Sequence, residues 1–435
     1  MADPVSSVAY AVEAALRALH GDLALLVPTM LVVVAVIAVI IINYQQVVRR
    51  YPSGGGDAAA AGEAFGDAFS FIPIGALIVD FVLTIAISVS AGASAIIAFF
   101  PLLAPYRVAL ALALVVIVAG ITWFGHLGRI AFALMTISFV GVAVTVLLYG
   151  IGGTPNAEAV IPSTPPGGAV LAILLAFPVA MALATGVEAP SSAIAQLGGM
   201  NDERRRMFGR VTLWLTLGIV GSITIALAIE ASLLRIGVPA EDTTLIAELA
   251  RQVSPQPVFA AFQLVTTLLL LAAASSSFQA GPGLLKAFAR HESGKNPIGI
   301  LHAALGKTNA GHTPYWGVVV FAVLAMVVVV IAGGSDQELV LFYAVAVFLS
   351  FFVGMLSLST FSFRERRWGM LSLNIIGFVV VAITLVVNLS RGYPLVSFAA
   401  ALIIAGSLYL LWVRAGRPGG VRNIEAEAEA GIEQL

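Results

Sequence analysis

A polytopic, all-α membrane protein is the fold class this sequence predicts, and three observations predict it. Of 435 residues, 60% are hydrophobic and 10% charged, where soluble domains run at roughly 45–50% and about 25%. The mean hydropathy is +1.02. Eleven apolar runs of bilayer-crossing length recur along the chain. The same arithmetic excludes a soluble globular enzyme, a disordered chain and a nucleic-acid binder, because a net charge of −1 leaves no basic footprint for a polyanion. With no cysteine there are no disulfides, thiolate metal sites or iron–sulfur clusters.

The first segment, from about 4 to 19, is polar (Ser6, Ser7, Tyr10, Glu13, Arg17) and too short to cross alone. It has neither the charged n-region nor the apolar h-region of a cleavable signal. The eleven runs follow near 24–43, 70–100, 106–122, 130–150, 169–196, 212–231, 257–280, 315–332, 339–360, 370–388 and 394–413. SGGG at 53–56 lacks a following Lys-Ser/Thr and reads as a tight turn rather than a phosphate loop. DERRR at 202–206 reads as a topology anchor.

Loops on alternate sides divide the basic residues unevenly. One side holds 17 of the 22, from Arg49 and Arg50 through Arg204–Arg206 to Arg414, Arg417 and Arg422. The other holds Arg107, Arg235, Arg251 and Arg391, with Arg17 apart. The positive-inside rule then puts the C-terminus in the cytoplasm and runs the 24–43 helix from outside to inside. The segment before it should enter from the cytoplasm, yet it begins a few residues after Met1, so either its start is mis-assigned or truncated or it is a half-helix lying at membrane depth. Only Lys286, Lys295 and Lys307 are lysines, an arginine bias that points to a GC-rich bacterial genome.

The run at 169–196 is interrupted by Gly186, Glu188 and Pro190, and glycine and proline break helices. At that depth irregular backbone must be buried in protein or line a cavity. With five spans per half, this run and the short first segment occupy corresponding positions, and both contain Val-Glu-Ala (12–14 and 187–189). Paired interruptions of that kind point to an inverted-repeat secondary transporter with its substrate at the breaks; the alternative is a kinked packing helix.

Acids within the spans are Glu13, Asp80, Glu188 and Glu230, with Asp3 at the start of the first segment, and Arg17 is the one base. A carboxylate at mid-span costs about 2.5–3.5 kcal/mol on insertion scales, so several together favour a cationic cargo or a proton-coupled step. Asp80, Thr84 and Ser88 step by four and form one polar stripe, suited to a dehydrated monovalent cation. The alternative is hydroxyls bonded one turn back and a neutral Asp80. Thr185 and Glu188 flank the break. On spacing, Asp3–Pro4 reads as a cap with proline at the first helical position, Glu230 as a snorkelling helix-end residue, and Tyr343 as core. The five histidines fall in loops or at helix ends, and no zinc or ATP motif is present, so neither haem ligation nor an enzyme reaction is expected.

SSVAYAVEA, YPSGGG, VDFVLTIAISVSAGASAI and ATGVEAPSS together resemble the amino acid–polyamine–organocation (APC) superfamily. Within it they are most similar to the KimA-type branch of potassium transporters, related to the KUP uptake family. The resemblance runs over nearly the whole chain and implies a LeuT/APC-type fold: two inverted five-helix repeats plus two helices, about 12 spans in all with the first half of helix 1 absent. The expected domains are a transmembrane unit over 1–413 (repeats at 1–150 and 151–360, further helices at 361–413) and a short cytoplasmic tail at 414–435. It implies that Asp3, Tyr10, Asp80, Thr84, Ser88, Thr185, Glu188 and Tyr343 surround potassium, with proton-coupled import through a bacterial cytoplasmic membrane. For Asp3 and Tyr10 this replaces the reading from spacing.

Phe81 stands where the branch usually has tyrosine, and Asp57–Ala61 follow the glycine run where the branch has an aromatic residue. The branch often carries a large C-terminal regulatory domain, whereas the tail here has 22 residues, so control or dimerisation through such a domain is not expected. No cofactor is expected beyond the carried potassium and proton. The expected partners are the bilayer and a small cation; nucleic acid is not one, and a homodimer is left open. Two rivals stay open: an amino acid or polyamine permease on the same fold, and a channel or sensor, for which no short filter loop is evident.

Overall fold

The computed structural model describes residues 2–124, 129–156, 168–184, 186–188, 201–241, 243–290 and 298–433. Within them the chain is helical: α1 (Ala2–Ser6), α2 (Val8–Ala18), α3 (Leu23–Arg50), α4 (Gly56–Phe65), α5 (Phe71–Phe99), α6 (Arg107–Phe124), α7 (Arg129–Gly150), α8 (Gly168–Ala180), α9 (Asp202–Leu233), α10 (Leu245–Val253), α11 (Gln256–Phe288), α12 (Tyr315–Ile331), α13 (Asp336–Arg364), α14 (Trp368–Ser390), α15 (Leu395–Arg414) and α16 (Ile424–Glu433). Among the described residues nine helices are long and apolar enough to cross a membrane, and α8 with its following turn and α12 are shorter apolar helices. These eleven fall on the eleven runs read from the sequence, the run at 169–196 being described only as far as 184 and at 186–188.

Helix ends follow local chemistry. Asp22 caps α3 by accepting from the Ala24 N–H at 3.0 Å, and Ser335 caps α13 through the Glu338 N–H. Asn201 caps α9 by accepting from the Arg204 N–H. DERRR is therefore the first turn of that helix rather than a loop: the cap and the two acids at the positive helix end extend α9 ahead of its apolar stretch. Near Pro178 the carbonyls of Leu175 and Pro178 accept from Arg391 and Asn388, so the backbone that proline disturbs stays bonded.

α5 forms the axis of the bundle, packed against α11, α13, α15 and α6. Almost every residue along it is buried, which is why apolar residues occupy all its sides, with the Asp80–Thr84–Ser88 stripe as the polar interruption. The outer helices α6, α7, α12 and α14 instead expose aliphatic side chains such as Ile130, Leu134, Val323 and Ile383, as a lipid-facing surface requires.

One end of the bundle gathers the arginine-rich loops. Arg50 pairs with Glu63 at 2.5 Å and Glu365 at 2.6 Å, Arg364 donates to the Ala64 carbonyl, and Arg422 pairs with Asp67. The tail folds back onto this face. Val421 and Ile424 are fully buried, and α16 packs along α11. The opposite end carries α10.

Candidate functional site

The two interrupted segments meet. The first is divided at Ser7, between α1 and α2. Ser7 Oγ lies 2.7 Å from the Pro4 carbonyl oxygen and 3.2 Å from that of Leu183, in the 3-10 turn Met181–Ala184 after α8. Gly186 follows with φ of +69°, a left-handed conformation that glycine adopts without strain. The Asp3 carboxylate lies against it. Thr185 and Pro190, expected at this break, lie outside the described residues.

Around this contact the structure brings together Asp3, Tyr10, Asp80, Glu188 and Tyr343. Asp80 and Glu188 lie within electrostatic reach of each other and of Asp3, and all three acids and Tyr10 act on the Tyr343 hydroxyl. Asp80, Thr84 and Ser88 line one face of α5, each buried. Among the described residues Thr84 Oγ1 has no hydrogen-bond partner, so this hydroxyl is not bonded to a carbonyl one turn back. Asp3 Oδ1, Asp80 Oδ1 and Tyr343 Oη are likewise buried with no partner. The Tyr343 hydroxyl approaches the Asp80 carboxyl without a hydrogen bond of ordinary geometry. Leaving such a group unsatisfied costs about 1–3 kcal/mol, so four in one place make a site with oxygens to offer. Among the described residues no three His, Cys, Asp or Glu side chains converge into a metal cage. The set instead mixes carboxylate, hydroxyl and phenol oxygens. Phe81 turns aside to meet Phe321 edge-on at 6.5 Å and adds no oxygen.

The α10 end of the site is shut. Glu13 on α2 accepts from the Leu245 N–H at the start of α10 (2.9 Å) and from Arg17 Nε (2.8 Å). Arg17 in turn donates to the Pro239 carbonyl at 3.0 Å. Asp336 on α13 accepts from Ser94 on α5 at 2.8 Å and from Gln337. Arg251 of α10 donates to the Ala98 carbonyl. A small apolar crevice, with room for about one water, lies beside the breaks, lined by Pro4, Leu183, Val187 and Val220 among others.

Sequence reading left Glu13 without a role, although the Glu13–Arg17 spacing of four is the signal of a helical ion pair. It did not foresee α10. Glu230 does not snorkel: both its oxygens are buried without partners, folded against Gly150 at the end of α7, where the missing side chain makes room.

The profile of the "Amino acid permease" family matches residues 1–411. The chain is 28% identical over 362 residues to "Potassium transporter KimA" of Bacillus subtilis (strain 168), covering 79% of this chain and 57% of that protein, so it spans little more than half the relative's length. A crystal structure of a manganese transporter mutant from Eremococcus coleocola superposes with a TM-score of 0.53 at 14% identity, covering 95% of this chain and 93% of that one.

Proposed function

Because the chain belongs to the amino acid permease family and is a multi-pass membrane secondary transporter of the APC superfamily, we propose that its cargo is potassium, taken up together with a proton. The observation that carries this reading is the group of buried oxygens without partners (Asp3 Oδ1, Asp80 Oδ1, Thr84 Oγ1 and Tyr343 Oη) gathered where the two breaks touch. A dehydrated monovalent cation needs several oxygen ligands and little negative charge per ligand. A mixed carboxylate–hydroxyl set supplies that, and Ser88, Tyr10, Thr185 and Glu188 complete it in this reading. An amino acid carboxylate would approach the positive ends of the broken helices, and Asp3 repels it there.

The membrane is the bacterial cytoplasmic one, with the arginine-rich face and the tail inside. Transport is by alternating access around the breaks, and the closed α10 end makes this an outward-shut state. No cofactor takes part beyond the carried ions. The similarity to the Bacillus subtilis potassium transporter supports this reading.

The test is rubidium uptake into proteoliposomes under an inward proton gradient, with Asp80→Asn and Glu188→Gln. Both substitutions are expected to abolish uptake. Uptake that survives both defeats the reading. The match to the amino acid permease profile favours one second reading, a small amine or amino acid. Thermal stabilisation by putrescine or leucine, with none by potassium chloride, selects it.

A further inference from the structure

Asp57 opens α4 immediately after the glycine run, in which Gly54, Gly55 and Gly56 all have positive φ. It is 5% exposed. Its Oδ2 accepts from the Tyr44 hydroxyl of α3 at 2.5 Å and from the Ser350 hydroxyl of α13 at 3.1 Å. Its Oδ1 is buried with no partner and is pressed against the α-carbon of Gly354, where any side chain would overlap it. The titratable groups facing it are Tyr44 from α3, Glu425 from the tail and Glu188 from the break after α8. None of these is cationic, and among the described residues no ion pair balances the carboxylate.

We propose that Asp57 is a second ion site, a proton-accepting carboxyl through which the coupled proton passes from the central oxygens to the arginine-rich face. A buried carboxyl without a cationic partner is neutralised most cheaply by a proton. A metal cation is poorly served: Oδ2 already takes two donors, and Oδ1 faces a Cα–H rather than a ring of oxygens. Burial pushes the Asp57 carboxyl up to about 7, within reach of the pH inside a cell. α4 is not a spanning helix, and its position suits a relay. Glu188 of the break is within electrostatic reach of Asp57, and Glu425 of the tail packs its carboxylate on the neighbouring Gly56. In the step itself the Oδ1–H bond forms as a proton arrives and breaks as it leaves toward that face, restoring the carboxylate. No electrons are exchanged.

This inference rests on the proton coupling proposed above, and the experiment separates the two. Infrared difference spectra of the purified full chain, taken across a pH titration, read the carbonyl stretch of protonated carboxyls whatever the cargo. Asp57→Asn is expected to remove one carboxyl titrating near neutrality and to lower gradient-driven rubidium uptake about tenfold. Rubidium–potassium exchange and stabilisation by potassium should persist. Tyr44→Phe removes a donor to the carboxylate and is expected to move the titration midpoint to higher pH. An unchanged infrared titration in Asp57→Asn, or unchanged gradient-driven uptake, overturns the proposal. So does a loss of bound rubidium, which would make this a cation site. If Asp57→Asn does not fold, an unmoved midpoint in Tyr44→Phe overturns it. A wild-type chain indifferent to potassium sinks the cargo reading and leaves the infrared result standing.

Discussion

The carboxylate of Asp3 rests on the α-carbon of Gly186: a Cβ built on that glycine would stand 2.8 Å from Asp3 Oδ2. The φ of +69° at Gly186 adds its own demand, since a left-handed alanine costs about 1–2 kcal/mol. Gly186→Ala is therefore expected to retain its helix content in circular dichroism while losing rubidium uptake by at least about tenfold, because the two breaks can no longer close on each other. Wild-type uptake in this variant would mean that the contact is not needed for transport.

Thr84 separates binding from folding. Its hydroxyl has no partner among the described residues, so Thr84→Val removes none of their hydrogen bonds and relieves a buried polar group. Melting in detergent is expected at or slightly above the wild-type temperature. Potassium affinity should fall by about tenfold, the equivalent of roughly 1.4 kcal/mol. A large drop in melting temperature with unchanged affinity would assign Thr84 to packing.

Glu13 holds the α10 end shut by capping α10 and pairing with Arg17. Glu13→Gln keeps an acceptor for the Leu245 N–H but discards the charge, and a charge-assisted bond is roughly twice as strong as a neutral one. The variant is expected to open outward more often. The chain has no cysteine, so a single Ser90→Cys on α5, fully buried in the closed state, reports this directly. Labelling from the outside should speed up several-fold, and an unchanged rate would remove Glu13 from the lid.

Asp57 predicts an inverse pH dependence of stability. Its folded carboxyl is raised to about 7 by burial, from an ordinary value of 3.8. Between those values the folded state holds the proton that the unfolded state has released, so this group's contribution falls as pH rises from about 4 to about 7 and is flat above. Asp57→Asn removes that loss. Its melting temperature is expected to exceed the wild type's at about pH 8 and to match it near pH 4. The same difference at both pH values would show that Asp57 does not titrate in the fold.

The spans were legible because bilayer-crossing helices announce themselves by composition, and the break at Gly186 because glycine and proline there contradict an apolar run. The Asp80–Thr84–Ser88 stripe was legible from periodicity alone, since one helix places all three. What sequence could not show depends on pairing between distant elements. Glu13 matters because Leu245 offers it an N–H from 232 positions away. Asp57 matters because Tyr44 and Ser350 reach it from two different helices. Glu230 looked like a helix-end residue free to reach water, and only the neighbouring Gly150 shows where it goes.

The amides at the α3–α14 seam bear on how the molecule is put together. Asn374 donates to the Leu358 carbonyl and to Ser362 of α13 at 3.0 and 2.8 Å, and accepts from Gln46 of α3 at 2.6 Å. Lipid offers an amide no substitute for these partners. The resting place of α14 is thus defined by α3 and α13 together. A helix inserted upside down would leave Asn374 unanswered in lipid.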